Sequence, residues 1–109
     1  MKFEQKWLNG PDGRICYFLS REFNGRPTLI FLHGLSANHS TWLEMAEKLE
    51  SLKVNFILPD LRGHGHSDKT KNKNLYELAK FTQDLRSIIA QEEIDRPILI
   101  GYSFGGYVA

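Results

Sequence analysis

Short apolar runs separated by longer amphipathic stretches dominate this chain. Three runs, at 28–32, 54–58 and 97–100, are apolar almost throughout, which is typical of strands buried on both faces. Between them, apolar residues recur at helical spacing, from Trp42 to Leu49 and from Leu78 to Ile89. Ahead of these elements, two loosely alternating segments flank the sequence Asn-Gly-Pro-Asp-Gly at 9–13. This arrangement predicts an N-terminal β-hairpin.

The predicted order is hairpin, strand, helix, strand, helix, strand, which indicates the α/β fold class. Strands that alternate with helices of this length form parallel βαβ units. The sequence from Thr41 to Glu44 has capping-box form and predicts the start of the first helix. Asn74 is expected to cap the second helix, and a third is expected to begin near Phe104.

The chain is 109 residues long and ends soon after the last predicted strand. A helix from near Phe104 would have about six residues, roughly half the mean helix length. A strand of a parallel sheet normally has neighbours on both sides. We therefore expect residues 1–109 to be the N-terminal portion of a single, incomplete domain, whose exposed last strand promotes aggregation. The alternative is a complete small domain with a frayed end.

The composition of the chain limits the classes of partner that we expect it to bind. The chain has 14 basic and 13 acidic residues, spread evenly, which argues against nucleic-acid and anionic-membrane partners. No apolar run is long enough to span a bilayer, and the N-terminus lacks the pattern of a secretory signal. Cys16 is the single cysteine, which excludes an intrachain disulfide and argues against a cysteine-based zinc site. A cytoplasmic location is expected.

The sharpest chemical signal is the Gly-Tyr-Ser-Phe-Gly sequence at 101–105, directly after the last predicted strand. A nucleophile elbow requires this placement between a strand and a helix. The strained turn makes the hydroxyl of Ser103 project above the sheet, and side chains at Gly101 and Gly105 would collide with it. Gly106 is expected to let the new helix pack closely. The alternative is a glycine-rich turn with an incidental serine.

A second signal, His33-Gly34-Leu35, follows the strand at 28–32. Acyl transfer needs hydrogen-bond donors aimed at the oxyanion of the tetrahedral intermediate, and a backbone amide in this loop can supply one. Gly34 is expected to permit the backbone conformation that points the amide inward. For His33, a hydrogen bond within the loop is favoured over proton transfer.

A third signal is the sequence Asp-Leu-Arg-Gly-His-Gly-His-Ser-Asp at 60–68, which follows the strand at 54–58. Two glycines, with aspartate and serine near the ends, predict a tight loop that hydrogen-bonds its own backbone. His64 and His66 match no recognised metal motif, so a metal site is not expected here. Lys69, Lys71 and Lys73 are expected to be solvated.

Together, the segments at 31–34, 60–67 and 101–106 resemble the α/β-hydrolase fold superfamily, in its branch with a His-Gly oxyanion loop. Their order matches the family, and the resemblance spans essentially the whole chain. It implies that Ser103 is the nucleophile and that the backbone N–H groups of Leu35 and Phe104 form the oxyanion hole. It also implies a small-molecule acyl substrate and no metal or organic cofactor. A serine at the elbow argues against haloalkane dehalogenases and epoxide hydrolases, which use aspartate.

One departure from the family is important. The family places its catalytic acid and histidine after the nucleophile, whereas only six residues follow Ser103 here. All four histidines precede it: His33, His39, His64 and His66. The catalytic acid, the histidine and the lid are therefore expected to be absent from residues 1–109. On this hypothesis, the domain is truncated after the nucleophile elbow.

The expected function is that of a serine hydrolase acting on carboxylic esters, thioesters or related acyl compounds. Two alternatives stay open. In the first alternative, the chain is a catalytically silent fragment or pseudoenzyme. In the second, the same site serves a lyase or a C–C hydrolase. The sequence leaves the substrate and the oligomeric state undetermined.

Overall fold

A computed structural model describes all 109 residues, which form one five-stranded sheet flanked by helices. The strands lie in the order β1-β2-β4-β3-β5 across the sheet. They are β1 (Glu4–Gly10), β2 (Gly13–Ser20), β3 (Thr28–Leu32), β4 (Asn55–Pro59) and β5 (Pro97–Gly101). The α-helices are α1 (Leu43–Lys48), α2 (Leu78–Gln91) and α3 (Phe104–Val108). Three short 3-10 helices span His39–Trp42, Glu50–Leu52 and Lys73–Tyr76.

The strand directions confirm the predicted α/β fold class with its N-terminal hairpin. β1 and β2 pair antiparallel, with Gly10 opposite Gly13 across the turn. β2 pairs antiparallel with β4, whereas β4, β3 and β5 run parallel to one another. The carboxyl ends of these three parallel strands therefore meet at one edge of the sheet, where loops that bind ligands commonly lie in α/β folds.

Two apolar layers cover the sheet, one on each face. On β3, Ile30 and Leu32 pack with α2 and α3 on one face, while Leu29 and Phe31 pack with α1 on the other. All five residues of β3 are buried, as predicted for a central strand. β5 pairs only with β3 in this structure, and its residue Ile98 is 46% exposed.

The helix α2 is amphipathic, as the spacing of its apolar residues predicts. Phe81, Leu85 and Ile88 are buried against the sheet, one or two turns apart along the same side of the helix. No helix of the chain combines the length and the apolar character that crossing a membrane requires.

The predicted starts of the first two helices were wrong, because a short 3-10 helix precedes each of them. Asn72, rather than Asn74, caps the turn that leads to α2, and its side chain accepts the N–H of Asn74. Similarly, Asn38 caps the turn that leads to α1, and no side chain of the expected capping box caps that helix. The capping residue therefore lies at the start of the first turn, upstream of the α-helix itself.

Candidate active site

A tight bend joins β5 to α3, with Ser103 at its centre. Ser103 has φ 54° and ψ −118°, a conformation that residues other than glycine rarely adopt. Strain of this kind costs about 1–3 kcal/mol and persists only where the surrounding structure enforces it. The predicted placement of this serine, between a strand and a helix, agrees with the structure. The prediction that this strand is buried on both faces was wrong, because β5 has only β3 as a neighbour and four of its five residues are exposed.

Backbone hydrogen bonds on both sides enforce the bend. The N–H of Tyr102 donates to the carbonyl of Leu32 on the neighbouring strand at 3.0 Å. After the bend, the N–H of Gly105 donates to the carbonyl of Tyr102 at 3.0 Å, and that of Gly106 donates to Ser103 at 2.9 Å. The turn is therefore anchored to β3 before Ser103 and to the first turn of α3 after it.

Two glycines allow the helix to cross close to the sheet. A Cβ on Gly105 would lie 2.1 Å from the carbonyl oxygen of Leu32, and one on Gly101 would lie 2.4 Å from the carbonyl carbon of Gly105. The prediction that side chains at these two positions would collide with the turn is confirmed. The expectation for Gly106 was wrong, because a Cβ there has nothing nearer than the Gly101 oxygen at 3.8 Å.

The loop after β3 lies directly against this bend. A Cβ on Gly34 would be 3.6 Å from the Cβ of Ser103, and 3.5 Å from the carbonyl oxygen of Tyr102. These are ordinary contacts, and Gly34 does not have positive φ, so the expectation that this position requires glycine for its backbone conformation was wrong. Ser36 makes the left-handed bend of the loop instead, with φ 63°.

Two backbone N–H groups near Ser103 have no intramolecular acceptor to satisfy them. The amide of Leu35 donates no hydrogen bond to another backbone group. Phe104 is the first residue of α3, so its N–H has no acceptor within the helix. Ser103 is itself exposed. The arrangement presents a hydroxyl and two donors at one edge of the sheet, which suits binding of a partly anionic oxygen.

His33 is fully buried and is held by two hydrogen bonds within the loops. Its Nδ1 lies 2.7 Å from the carbonyl oxygen of Gly34, and its Nε2 accepts the N–H of Leu61 at 2.9 Å. Burial lowers the pKa of His33 below its ordinary value, so the ring stays neutral. The prediction that His33 hydrogen-bonds within its loop is confirmed.

The loop at 60–68 is organised around the buried carboxylate of Asp60. It accepts the backbone N–H of His39 at 2.7 Å and that of His66 at 3.0 Å. The Nδ1 atoms of the same two rings lie 2.8 and 3.3 Å from its oxygens. Burial alone would raise the pKa of Asp60, but these hydrogen bonds hold it below its ordinary value. The Ser67 hydroxyl also donates to the Asp60 carbonyl at 2.6 Å, which confirms the predicted self-bonded loop.

One group of side chains has the composition of a metal site. Cys16, Asp60 and His66 bring potential ligand atoms within 4.8 Å of one another. Both carboxylate oxygens are already engaged by four hydrogen bonds, and burial raises the pKa of the Cys16 thiol. The Cys16 sulfur also accepts a hydrogen bond from the side-chain amide of Gln5 at 3.3 Å, so both the sulfur and the carboxylate are engaged. The backbone of Cys16 joins β2 to the loop, because its N–H donates to the Ser67 hydroxyl at 2.8 Å and its carbonyl accepts the N–H of Asp60 at 2.9 Å.

Sequence reasoning missed the ion pair that fixes this loop to α2. Arg62 is 7% exposed and holds both oxygens of Asp84, at 2.8 and 2.9 Å. It also contacts Asp12 at 3.1 Å and the Leu75 carbonyl at 3.0 Å. The hydrogen bond to Asp84 raises the pKa of Arg62. An aspartate on the buried side of an amphipathic helix was the signal that could have revealed this pair.

Comparison with protein families gives one match over most of the chain. The family described as the alpha/beta hydrolase fold matches residues 27–109. The matched part includes β3, β4, β5 and the three loops at their carboxyl ends, and it begins after the N-terminal hairpin.

Similar proteins agree with this match. An AB hydrolase superfamily protein of Bacillus subtilis is 35% identical over 87% of this chain and 34% of its own length. A 2-succinyl-6-hydroxy-2,4-cyclohexadiene-1-carboxylate synthase of Photorhabdus laumondii is 37% identical over 82% of this chain and 31% of its own. The crystal structure of an alpha/beta hydrolase from Novosphingobium aromaticivorans is 29% identical, with a TM-score of 0.87, and covers 97% of this chain and 37% of that one. The chain thus spans about a third of the length of these curated relatives.

Proposed function

The chain belongs to the α/β-hydrolase fold family, and on that premise we propose that it carries the nucleophile half of a serine hydrolase site. Ser103 is the nucleophile, and the N–H groups of Leu35 and Phe104 are the oxyanion hole. The substrates are small carboxylic esters, thioesters or related acyl compounds. The observation that carries the proposal is Ser103 itself, held at φ 54° on a bend between strand and helix.

The chemistry follows from the charge that develops during acyl transfer. The Ser103 oxygen attacks the carbonyl carbon and loses its proton to a base, and the carbonyl oxygen becomes negatively charged. Two preorganised amides stabilise that charge, and loss of one such donor typically lowers the rate about 10²–10³-fold. Departure of the alcohol or thiol leaves an acyl-serine, which water then hydrolyses.

The proton acceptor is the missing part of this scheme. His33, His39 and His64 each bond through Nδ1 to another group of the loops, and none of them hydrogen-bonds to Ser103. We propose that residues 1–109 are the N-terminal portion of a single domain, in which the acid, the histidine and the lid come from elsewhere. The length of the curated relatives, about three times the part matched here, supports this. Without a base, we expect ester turnover by this chain to be slow.

Site-selective labelling tests the proposal. The chain is incubated with a fluorophosphonate, whose phosphorus bonds to the serine oxygen as fluoride leaves, and the modified peptide is located by mass spectrometry. Because an oxyanion hole retains part of the rate acceleration without a base, we expect the adduct at Ser103 and none in Ser103→Ala.

Ser36 provides a matched control, because it is also exposed and also has positive φ, at 63°. We expect Ser36→Ala to label like the wild type. Equal labelling of Ser36 and Ser103, or undiminished labelling of Ser103→Ala, would reject the assignment.

A second candidate function uses the same site for lyase or C–C hydrolase chemistry. The 37% identity to a synthase favours it. Donors that stabilise a tetrahedral oxyanion can equally stabilise an enolate oxygen. Trials with simple esters and with cleavable diketones separate the two: preference for esters supports the hydrolase, and preference for diketones supports the alternative.

A further inference from the structure

The parallel strands begin at a second edge of the sheet, opposite the edge that carries Ser103. Thr28 and Asn55 start β3 and β4 there, and Arg96 directly precedes β5. A cavity of about 180 Å³ opens at this edge, between the starts of the strands and the segment that follows α2. Because a cavity needs only about 10–15 Å³ to hold one water molecule, this one has room for a small ligand.

The lining of this cavity is polar and rich in arginine. Of the eleven residues around it, only Phe23 and Ile94 are hydrophobic. Three are arginines: Arg21 directly follows β2, Arg26 lies two residues before β3, and Arg96 directly precedes β5. Cations that come from separate parts of the chain suit a ligand whose negative charge can be reached from several directions.

Hydrogen bonds to backbone carbonyls hold two of these guanidinium groups in place. Arg21 donates to the carbonyl of Glu92 at 2.5 Å. Arg96 donates to the carbonyl of Gly25, which joins the segment after α2 to the connection between β2 and β3. A guanidinium has five N–H donors, so each of these side chains is positioned and still has donors available for a ligand.

Acidic side chains do not neutralise the arginines of the lining. Only Arg21 pairs with a carboxylate, that of the buried Glu92, at 3.7 Å, and this carboxylate also pairs with Lys6 at 2.7 Å. Glu93 and Asp95 line the cavity as well, but neither forms an ion pair with an arginine. With three arginines and two acids, the lining has a net charge of +1.

We propose that this cavity binds a phosphate dianion, either free inorganic phosphate or the phosphate group of a small monoester. A carboxylate presents two oxygens in one plane, which a single guanidinium can hold. A tetrahedral phosphate presents oxygens in several directions, so arginines from separate parts of the chain can each donate to it. The cavity and Ser103 lie at opposite edges of the sheet, so failure of the assignment of Ser103 would leave this proposal unaffected.

Titration of the chain with inorganic phosphate tests the proposal. The backbone amide shifts of the ¹⁵N-labelled chain are followed by NMR near neutral pH, with chloride at the same ionic strength as the control. We expect saturable shifts at residues 21–28 and 93–96 with phosphate alone. Shifts that do not saturate, or that chloride reproduces, would overturn the proposal.

A second titration, with glycerol 3-phosphate, separates the two sources of the dianion. Tighter binding of the ester than of inorganic phosphate would identify a monoester as the ligand. Equal or weaker binding of the ester would identify free phosphate.

Substitutions that change the charge of the lining in both directions sharpen the test. We expect Arg96→Gln to weaken phosphate affinity about 10-fold, because hydrogen bonds to a charged ligand are lost. Glu93→Gln removes a repelling carboxylate and is expected to raise the affinity about 2–3-fold. The control Arg86→Gln removes the same charge from an exposed position on α2 that does not line the cavity, and it is expected to bind like wild type.

Equal affinities of Arg96→Gln and Arg86→Gln would overturn the proposal. If Arg96→Gln does not fold, Glu93→Gln decides the matter, because an affinity that is unchanged or lowered in that variant would show that phosphate does not bind beside this carboxylate.

Discussion

Two loops at the carboxyl edge of this sheet, each with glycines and one serine, use their polar groups in opposite ways. Around Asp60, a fully buried carboxylate receives four hydrogen bonds, and its loop is tied to β2 and to α2. Around Ser103, the backbone is strained, the serine is exposed and neighbouring amides lack intramolecular acceptors. Hydrogen bonds to every buried polar group around Asp60 stabilise the first loop. In the second loop, the surrounding structure holds a strained backbone, so the hydroxyl and the amides stay free to bind a ligand.

His33 connects the loop around Asp60 to the loop after β3, which lies directly against the bend at Ser103. It accepts a hydrogen bond from the residue after Asp60 and bonds to the residue before Leu35. The hydrogen-bonded loop at 60–68 thus supports the loop in which the Leu35 N–H has no acceptor. Strained functional groups are commonly held in place by well-packed neighbours of this kind. If this contrast is correct, substitution of Asp60 chiefly changes stability, and substitution of Ser103 chiefly changes reactivity.

The largest expected effect is on the satisfied loop. Asp60→Asn removes the charge from a buried acceptor and leaves N–H groups of His39 and His66 poorly matched. We expect the free energy of unfolding to fall by about 3–5 kcal/mol, measured by urea denaturation. The control Asp95→Asn changes an exposed residue and is expected to stay within about 0.5 kcal/mol of wild type. Equal effects of the two would contradict the central role of Asp60.

The next largest effect is expected for two neighbouring glycines of α3, Gly105 and Gly106, whose replacement by alanine changes the stability in opposite directions. Gly105→Ala places a Cβ 2.1 Å from the Leu32 carbonyl oxygen, and we expect it to destabilise by about 1–3 kcal/mol. Gly106→Ala has 3.8 Å of clearance on the same helix and is expected to stabilise by about 0.5–1 kcal/mol. Thermal or urea unfolding of both variants provides the comparison, and a destabilised Gly106→Ala would show that the close crossing extends further along α3.

For Ser103→Gly at the bend itself, we expect a small gain in stability together with a loss of reactivity towards the fluorophosphonate. Ser103→Gly relieves a positive φ of 54°, and the relief exceeds the entropy cost of glycine by up to about 1 kcal/mol. The same variant is expected to lose fluorophosphonate labelling completely. If Ser103→Gly were as destabilised as Gly105→Ala, the strain assigned to this residue would be incorrect.

The subtlest expected effect is on the pH dependence of stability. The pKa of Asp60 is lower in the folded chain than its unfolded value of about 3.9. Its contribution is therefore fully present above about pH 4 and is lost as the pH falls through the folded pKa. We expect unfolding free energies measured between neutral and acidic pH to fall less steeply below pH 4 in Asp60→Asn. An unchanged slope would mean that other carboxylates account for the acid sensitivity.

The sequence predicted the elements and the bend because those signals are local. Apolar runs predicted β3 and β4, and apolar residues at helical spacing predicted α2. Glycines two residues to either side of a serine predicted the elbow. The cap at Asn72 was missed because a 3-10 turn precedes α2, and such turns leave only a weak sequence pattern.

Long-range contacts could not be predicted in the same way. The pairing of Arg62 with Asp84, and the hydrogen bond from Leu61 to His33, join residues 22 and 28 positions apart. They depend on how α2 and the loops pack on the sheet, which no short pattern encodes. The conformation of Gly34 was misjudged for a related reason, because the neighbouring Ser36 makes the bend that was assigned to glycine.

The most direct test of the account is a crystal structure of the chain after reaction with a fluorophosphonate. We expect a phosphonyl group on Ser103, with its free oxygen within about 3.2 Å of the backbone nitrogens of Leu35 and Phe104. A phosphonyl oxygen directed into solvent, with neither amide in reach, would contradict the proposed oxyanion hole and with it the assigned function.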